Sequence, residues 1–553
     1  MTRRLIECVP NISEGRDRAK IDAIAAVVET VEGVRLLDVD PGKATNRTVI
    51  TFVGEPGPVC EAAFRLIKKA QELIDMRTHK GEHPRFGATD VCPLVPISGI
   101  SMEEAAKYAR GLAERVGKEL AIPVYCYEAA ASEEKRRNLA NNRSGEYEGL
   151  PKKLKDPAWK PDFGPAEFTD SVARSGAMAI GARNFLVAYN VNLNTTSTRR
   201  ANAIAFDIRE AGRKVKQADG SEQQVPGKLK TVKGIGWFIE EYGIAQLSLN
   251  LTDITVTPVH IAFDEACKSA AERGIRVTGS ELVGLIPKQS LLDAADFFLA
   301  RQERSLGISE REKIKIAVKS LGLDDLGPFD PGKKVIEYML EQDGTERLVR
   351  MDLKRFSEET AAESPAPGGG SVAAYVGALG VSLGIMVANL SAHKRGWDDR
   401  WEEFSKWAVV GEKLRNELLF LVDEDTRAFD RIMAAMGLPK GSPEEQAARK
   451  NAIREATKGA INTPLRTMQV CVESMDLMKA MAQNGLKASV SDAGVGALCA
   501  RTGALGAYLN VKINCAGLDD EAFKEDVLNK AEDLKRRAEA LEAEVMGLTL
   551  AKV

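Results

Sequence analysis

This chain predicts a multi-domain α+β/α protein, two tandem βαββαβ subdomains followed by an all-α helical bundle. Three observations carry that expectation. Apolar runs of strand length alternate with helix-period segments in the same order twice before residue 290. A Gly- and Pro-bearing stretch, LGLDDLGPFDPGKK, interrupts the pattern near residues 322–334. From Asp352 onward the periodicity is helical, with no convincing strand run.

The first unit reads in order. Leu5 to Val9 is a short apolar strand, and Arg18 to Glu32 has helical spacing. VRLLDVD (34–40) and TVITFVG (48–54) are strands joined by the turn PGKATNR. Val59 to Met76 is an amphipathic helix, Val91 to Ile97 a strand, Met102 to Glu119 a helix and Val124 to Tyr127 a strand. This is βαββαβ with an added αβ, a ferredoxin-like order. A polar excursion rich in Lys, Asn and Pro runs from Ala131 to Phe168. The order then repeats: a strand over 184–193, a helix over 198–217, strands over 232–241 and 245–256, a helix over 259–274 and a strand within 275–286. Leu291 to Leu321 is helical. Near the end, Val527, Ala531, Leu534, Ala538, Leu541 and Val545 form one apolar stripe, suited to a bundle or a dimer seam. The expected divisions are 1–181 and 182–327 for the α/β subdomains, 328–350 for a linker and 351–553 for the helical domain.

The composition narrows the function classes. Hydrophobic residues make up 44% and charged residues 28%, so the chain buries cores and is not disordered. Lys plus Arg total 77 against 80 for Asp plus Glu, which excludes a globally basic nucleic-acid or anionic-membrane binder. No two of the eight cysteines form a CxxC pair, and the N-terminus lacks an apolar h-region, so a cytoplasmic location is expected. Val372 to Leu390 carries no charge, but its Gly380 and Gly384, one turn apart, suit a central buried helix better than a membrane span.

Several segments can carry chemistry. Two of the four histidines lie in DMRTHKGEHPRFGATDVCPLVP (75–96). His79 and His83 match the HxxEH spacing of inverted zinc proteases, yet Gly81 and Pro84 oppose the helix that motif needs, and no third ligand is evident. No metal is therefore expected, and a loop with one histidine as acid/base is preferred over a solvated polar loop. The loop after the first strand, from Pro10 and Asn11 to Gly15, and the turn bracketed by Asp38, Asp40, Thr45, Asn46 and Arg47 lie at strand ends where they can converge on the histidines. Ordinary turn chemistry explains the same residue types. Gly368, Gly369 and Gly370 precede the apolar helix and can offer N–H groups to an anion, or serve as a plain N-cap. In LVDEDTRAFD, helical spacing puts Asp425 at the edge of the buried face, where an apolar wall raises a carboxyl's pKa; Asp423 and Glu424 are expected to face water. Asp492 is expected to line the same cavity.

Taken together, ECVPNISEG, LLDVDPGKATNRTVITFVG, LIDMRTHKGEHPRFGATDVCPLVP, PDFGP, GIGWFIEE, ELVGLIP, LGLDDLGPF, APGGGSVAA, LVDEDTRAFD and LGAYLNVKIN resemble the bifunctional formiminotransferase-cyclodeaminase family over nearly the whole chain. The resemblance implies a transferase of two α/β subdomains, a helical cyclodeaminase and a homo-oligomer built from dimers. It places the transferase histidine on His83 and the cyclodeaminase acid on Asp425. The folate-contacting segment falls on Gly164, Pro165 and the residues through Gly176, where this sequence lacks the Pro-Ser-Trp-Gly run of animal members. ELVGLIP carries Glu281 where those members have Gln.

The implied substrates are N-formiminoglutamate and tetrahydrofolate, a co-substrate with an anionic polyglutamate tail, without a metal. His83 would move protons during transfer, Asp40 and Glu82 would orient His83 or a cationic amidine, and Arg47 would pair with a substrate carboxylate. Asp425 would serve ring closure. Lys214, Lys216, Lys228, Lys230 and Lys233 form a basic stretch that either guides the tail or is a solvated surface. Two other readings stay open: a glutamate formyltransferase using N-formylglutamate, with an inactive or cyclohydrolase-like helical half, and a non-catalytic folate-binding assembly protein.

Overall fold

The computed structural model of the chain describes residues 4–42, 46–81, 85–217, 221–340, 347–364 and 366–553. The chain packs into two compact units, one running to Ser290 and including Leu321–Glu341, the other formed by Leu291–Ser320 and Gln342–Val553.

In the first unit, β1 (Leu5–Cys8), β2 (Asn11–Ile12), β3 (Val34–Gly42), β4 (Arg47–Gly54), β5 (Thr89–Ser98), β6 (Val124–Glu128) and β7 (Met178–Ala182) make one sheet. Its order is β3, β4, the broken strand β1/β2, β5, β7, β6; pairing is antiparallel as far as β5 and parallel from β5 through β7 to β6. The helices α1 (Arg18–Ala26), α2 (Pro56–Leu73) and α3 (Met102–Glu119) supply the apolar partners of Ile6, Cys8, Ile50, Phe52, Cys92 and Leu94. A capping box between Ser101 and Glu104 starts α3 at the expected residue. The sequence reading missed β7. Its five residues, MAIGA, are all buried, and Gly181 lies against the Tyr127 ring, so no alternation marks the strand.

The polar excursion is ordered by short helices α4 (Glu134–Arg137), α5 (Leu139–Arg143), α6 (Glu146–Lys153) and α7 (Asp170–Ser175). Buried Lys153 holds it together. Its ammonium donates to the carbonyls of Asn141, Asn142 and Ser144 at 3.1, 2.7 and 3.2 Å and lies 4.2 Å over the Trp159 ring.

A second sheet holds β8 (Val187–Leu193), β11 (Val232–Ile239), β12 (Ile244–Leu251) and β13 (Val277–Val283) in the antiparallel order β11, β12, β8, β13. Helices α8 (Thr198–Ile208) and α9 (Val259–Ala271) cover one face. A Cβ on Gly236 would stand 2.2 Å from the Asn202 nitrogen, so glycine lets α8 sit directly on β11. The helix expected to reach residue 217 stops at Ile208. Gly212, at φ +59°, turns the chain into a hairpin of β9 (Arg213–Lys216) and β10 (Glu222–Val225). The basic stretch is thereby spread over several elements, with Lys214 paired to Glu222 at 3.0 Å and Lys228 to Glu265 at 2.7 Å. That arrangement favours the solvated-surface alternative.

Helices α10 (Lys288–Arg301) and α11 (Glu310–Leu321) pack largely with the helical unit, while α12 (Pro331–Lys334) and α13 (Ile336–Leu340) belong to the first. The two compact units therefore divide near Ser290 and Leu321. The cause is specific bonding: Ser305 N–H donates to His393 Nε2 at 3.1 Å, Leu306 N–H to Ser405 Oγ at 3.0 Å and Asn389 Nδ2 to the Gly307 carbonyl at 2.8 Å. The rest of this unit is α14 (Leu353–Thr360), α15 (Gly369–Ala392), α16 (Trp401–Met436), α17 (Pro443–Asn484), α18 (Val490–Cys515) and α19 (Glu521–Leu550). By length and composition α15 could cross a membrane, but 61% of its apolar window is buried inside the unit. Gly380 faces the Gly496 carbonyl on α18, and Gly384 faces Leu477 and Met478 on α17. The α19 stripe is also internal, with Val527, Ala531, Ala538 and Val545 buried in a helix that packs on α17 and α18.

Candidate active sites

The first site is built where β2, β4 and β5 begin or end together. Asn46, at φ +48°, ties three loops: its Oδ1 accepts Gly15 N–H at 2.9 Å, its Nδ2 donates to the Lys80 carbonyl at 2.9 Å, and its own carbonyl meets His79 Nε2 at 2.9 Å. Burial holds the His79 imidazole below its usual pKa, against the pull of that Asn46 bond, so the ring is neutral and donates. Arg85 Nη2 donates to the His79 carbonyl at 3.1 Å and to Glu148 at 2.6 Å. His79, Lys80 and Arg85 are therefore each fixed by hydrogen bonds. Glu82 and His83, the expected acid/base and its neighbour, lie outside the described residues.

Arg47, expected to meet a substrate carboxylate, donates Nε to Asn11 Oδ1 at 3.0 Å and pairs Nη1 with Asp90 Oδ2 at 3.0 Å. Asn11 in turn donates to the Val9 carbonyl at 2.9 Å. Asp90 is 0% exposed and also holds Arg143 Nη2 at 2.6 Å and accepts Phe86 N–H at 2.9 Å. The sequence reading passed over Asp90 and Arg143; the signal was a charge opening an otherwise apolar strand, TDVCPLVP. Asp90→Asn weakens both pairs and is expected to cost about 2–3 kcal/mol. Urea unfolding followed by near-ultraviolet circular dichroism measures it, and an unchanged midpoint would contradict the assignment.

Asp40 is exposed on β3, opposite Val49, and shares a face with Asp38. Burial and then the nearby Asp40 raise the Asp38 carboxyl, and Lys334 partly offsets this. Gly176, at φ +69°, is bridged to Gly87, and a Cβ there would stand 2.5 Å from the Phe86 carbonyl. It therefore shapes the exit of the histidine loop. Gly164, at φ +84°, presses instead on Ile122 and Pro123 before β6, with Pro165 half-buried beside it.

On the same sheet, Glu7 lies on the face away from α1–α3, opposite Val53 and Val95. Burial pushes its carboxyl up from 4.5 to about 7, against a downward pull from Arg183. Below pH 4.5 the group is protonated folded or unfolded and costs nothing. Above pH 7 the fold must bury the charge, at a cost on the order of 3 kcal/mol. Glu7→Gln is thus expected to raise Tm at pH 8 and leave it nearly unchanged at pH 4.5. Calorimetry at both pH values checks this; an equal shift at both would refute it.

The second site lies in the helical unit. Asp425 on α16 is half-buried against the N-terminus of α15. Ser371 Oγ donates to its Oδ2 at 3.2 Å and to the Val422 carbonyl at 2.9 Å. Burial raises the Asp425 carboxyl, while the side-chain and backbone hydrogen bonds from Ser371 hold it back. Gly370 is required here, because a Cβ would fall within 2.6 Å of the three carboxyl atoms of Asp425. Gly368 is the N-cap, and a Cβ on Gly369 would stand 3.5 Å from Asn510 Nδ2. The glycine loop thus presents its first turn to Asp425 of its own chain.

Two expectations are corrected. Asp423 does not face water; it is buried and accepts Leu348 N–H at 2.8 Å. Glu424 is partly buried and paired with Arg431 at 2.7 Å. Asp492 does not join the cavity: α18 runs antiparallel to α15, and Asp492 lies at its far end, about 27 Å along the axis from Asn510 at ~1.5 Å per residue.

Comparisons with known proteins match both halves. The family described as "Formiminotransferase domain, N-terminal subdomain" matches residues 5–183, "Formiminotransferase domain" residues 188–341, and "Formiminotransferase-cyclodeaminase" residues 352–533. The chain is 43% identical over 545 residues to formimidoyltransferase-cyclodeaminase of Rattus norvegicus, covering 98% of each. It is 44% identical over 547 residues to that of Gallus gallus, covering 99% of this chain and 98% of the relative. Glutamate formimidoyltransferase of Thermoplasma acidophilum is 43% identical over 297 residues, 53% of this chain and 92% of its own length. With an α/β half and a helical half each matched in sequence, and the match running nearly end to end, the chain belongs to the formimidoyltransferase-cyclodeaminase family.

Proposed function

We propose that this chain transfers the formimino group of N-formimino-L-glutamate to N5 of tetrahydrofolate and then closes the product to 5,10-methenyltetrahydrofolate with release of ammonia, two steps of histidine degradation. The carrying observation is similarity over 98% of the chain to relatives named for both activities. In transfer, N5 attacks the amidine carbon, the carbon–nitrogen bond to glutamate breaks, and His83 supplies the proton that the leaving nitrogen needs. Asp40, Glu82 and Arg47 orient the amidine and the substrate carboxylate, and the segment from Gly164 to Gly176 contacts folate. In closure, N10 bonds to the formimino carbon and loses its proton while the terminal nitrogen leaves protonated. A carboxyl raised by burial, as Asp425 is, suits that exchange near neutral pH.

On this reading each α/β subdomain is ferredoxin-like, the transferase comprises 1–181 and 182–327, and 351–553 is the cyclodeaminase. A homo-oligomer built from dimers and a cytoplasmic location go with it; all eight cysteines are free thiols, which accords with a reducing compartment. Incubation with N-formiminoglutamate and tetrahydrofolate, following ammonia and methenyl-folate absorbance together, tests the reading. Both signals are expected. Turnover of N-formylglutamate without ammonia would favour the formyltransferase, and no turnover of either would leave a non-catalytic binder.

A further inference from the structure

The second sheet of the first unit has a face that its helices do not cover. Strand register puts Trp237 and Ile235 of β11, Gln246 of β12, Asn190 and Asn192 of β8, and Glu281 and Val283 of β13 on that face. The 322–325 segment packs on one end of this face, at Gly279 and Asn192. The face carries buried amides: Asn192 and Gln246 are 0% exposed and Asn190 is 5% exposed.

Their hydrogen bonds converge on one carboxylate. Asn190 Nδ2 donates to Glu281 Oε2 at 3.1 Å, Gln246 Nε2 to the same oxygen at 3.3 Å, and Tyr242 OH to Oε1 at 3.3 Å. Gln246 Nε2 also donates to Asn192 Oδ1 at 2.9 Å, and its Oε1 accepts Trp237 Nε1 at 3.2 Å. Asn192 Nδ2 donates to Asp325 Oδ2 at 2.9 Å. Each amide is fixed in orientation, and so is the indole. A carboxylate has about four acceptor positions. Among the described residues the three donors occupy Oε2 twice and Oε1 once, which leaves Oε1 with an acceptor position on a half-buried residue.

Exposed apolar side chains border the buried amides. Trp237 is 38% exposed, Ile235 52% and Val283 47%. Strands lie ~4.8 Å apart and Glu281 sits two residues along β13 from the register position of Trp237, so their backbones stand about 16 Å apart, and the Gln246 amide between them bonds both side chains. A preset carboxylate beside flat apolar side chains complements a planar ring edge with two adjacent N–H donors.

We propose that Glu281, held by Asn190, Gln246 and Tyr242, is a binding residue for a planar N–C–N edge bearing two N–H donors, with Trp237 as the platform beside it. The inference rests on the folate reading above and deepens it. That edge exists in both substrates: the 2-amino and N3–H groups of the reduced pterin, and the formimino amidine.

Glu281→Gln keeps the shape of the side chain and replaces one acceptor by a donor. Tetrahydrofolate binding is read by calorimetry and by Trp fluorescence, and KM is measured for tetrahydrofolate and for N-formiminoglutamate in the transfer assay. A rise of about 10- to 100-fold in Kd and KM for tetrahydrofolate alone identifies the pterin edge; a rise in KM for N-formiminoglutamate alone identifies the amidine. Unchanged Kd and both KM values in an active variant overturn the proposal, as does a fall in kcat alone. Tyr242→Phe, at an exposed turn, is expected to weaken the same ligand several-fold, and a null result there with full-strength binding also counts against it. Wild-type protein that turns over neither substrate would instead remove the functional reading, and the direct binding measurement still judges Glu281.

Discussion

Asp425→Asn is expected to slow ammonia release from supplied 5-formiminotetrahydrofolate by about 10²- to 10⁴-fold while formimino transfer proceeds at the wild-type rate. The amide has the shape of the carboxyl and still accepts the Ser371 hydroxyl, which now lies 3.2 Å from Oδ2. What it loses is the exchangeable proton. Stability should not fall. Because burial raises the Asp425 carboxyl, the cost of charging it in the fold appears as pH rises out of the ordinary carboxylate range through the folded-state value. The variant is therefore expected to melt at or above the wild-type temperature at neutral pH, with the gain fading in acid. Separate assays of transfer and closure, with a melt at two pH values, check each clause. Loss of both activities in a folded variant, or closure at the normal rate, would remove Asp425 from the chemistry.

How far the sequence was legible depended on what each feature required. Elements with strong periodicity and a local start signal were read closely: α3 begins and ends where expected, because Ser101 and Glu104 cap it and its apolar positions recur at helical spacing. Asp425 was legible for the same reason, since helical spacing alone puts it at the margin of a buried face. β7 was not, because a strand buried on both faces shows no alternation, and MAIGA resembles a helix fragment as much as a strand. The hairpin after Ile208 was hidden by lysines that read equally well as helix surface; Gly212 was the one local sign. Asp423 was misread because its partner, the Leu348 N–H, is remote in sequence. Asp492 was misread because small-residue helices carry no direction in their composition, and only the antiparallel packing of α18 on α15 sends it to the far end. The grip of Asp90 on Arg47 and Arg143 spans 53 residues to Arg143, which no local pattern reports.

His83→Ala is expected to reduce formimino transfer by about 10²- to 10⁴-fold and to leave closure of supplied 5-formiminotetrahydrofolate unchanged. Of the two histidines in the loop, His79 is already committed. It is buried, its Nε2 bonds the Asn46 carbonyl at 2.9 Å, and burial holds it neutral. A ring so occupied anchors the loop, its Nε2 proton committed to the Asn46 carbonyl. In sequence His83 falls between that anchor and Arg85, whose guanidinium bonds the His79 carbonyl and Glu148. The two histidines should consequently separate by assay. His83→Ala should lower kcat with little change in melting temperature, whereas His79→Ala should act through the fold and lower Tm. The reverse pattern, an active His83→Ala protein beside a stable but inactive His79→Ala protein, would move the proton shuttle to His79 and make the Asn46 bond part of the chemistry.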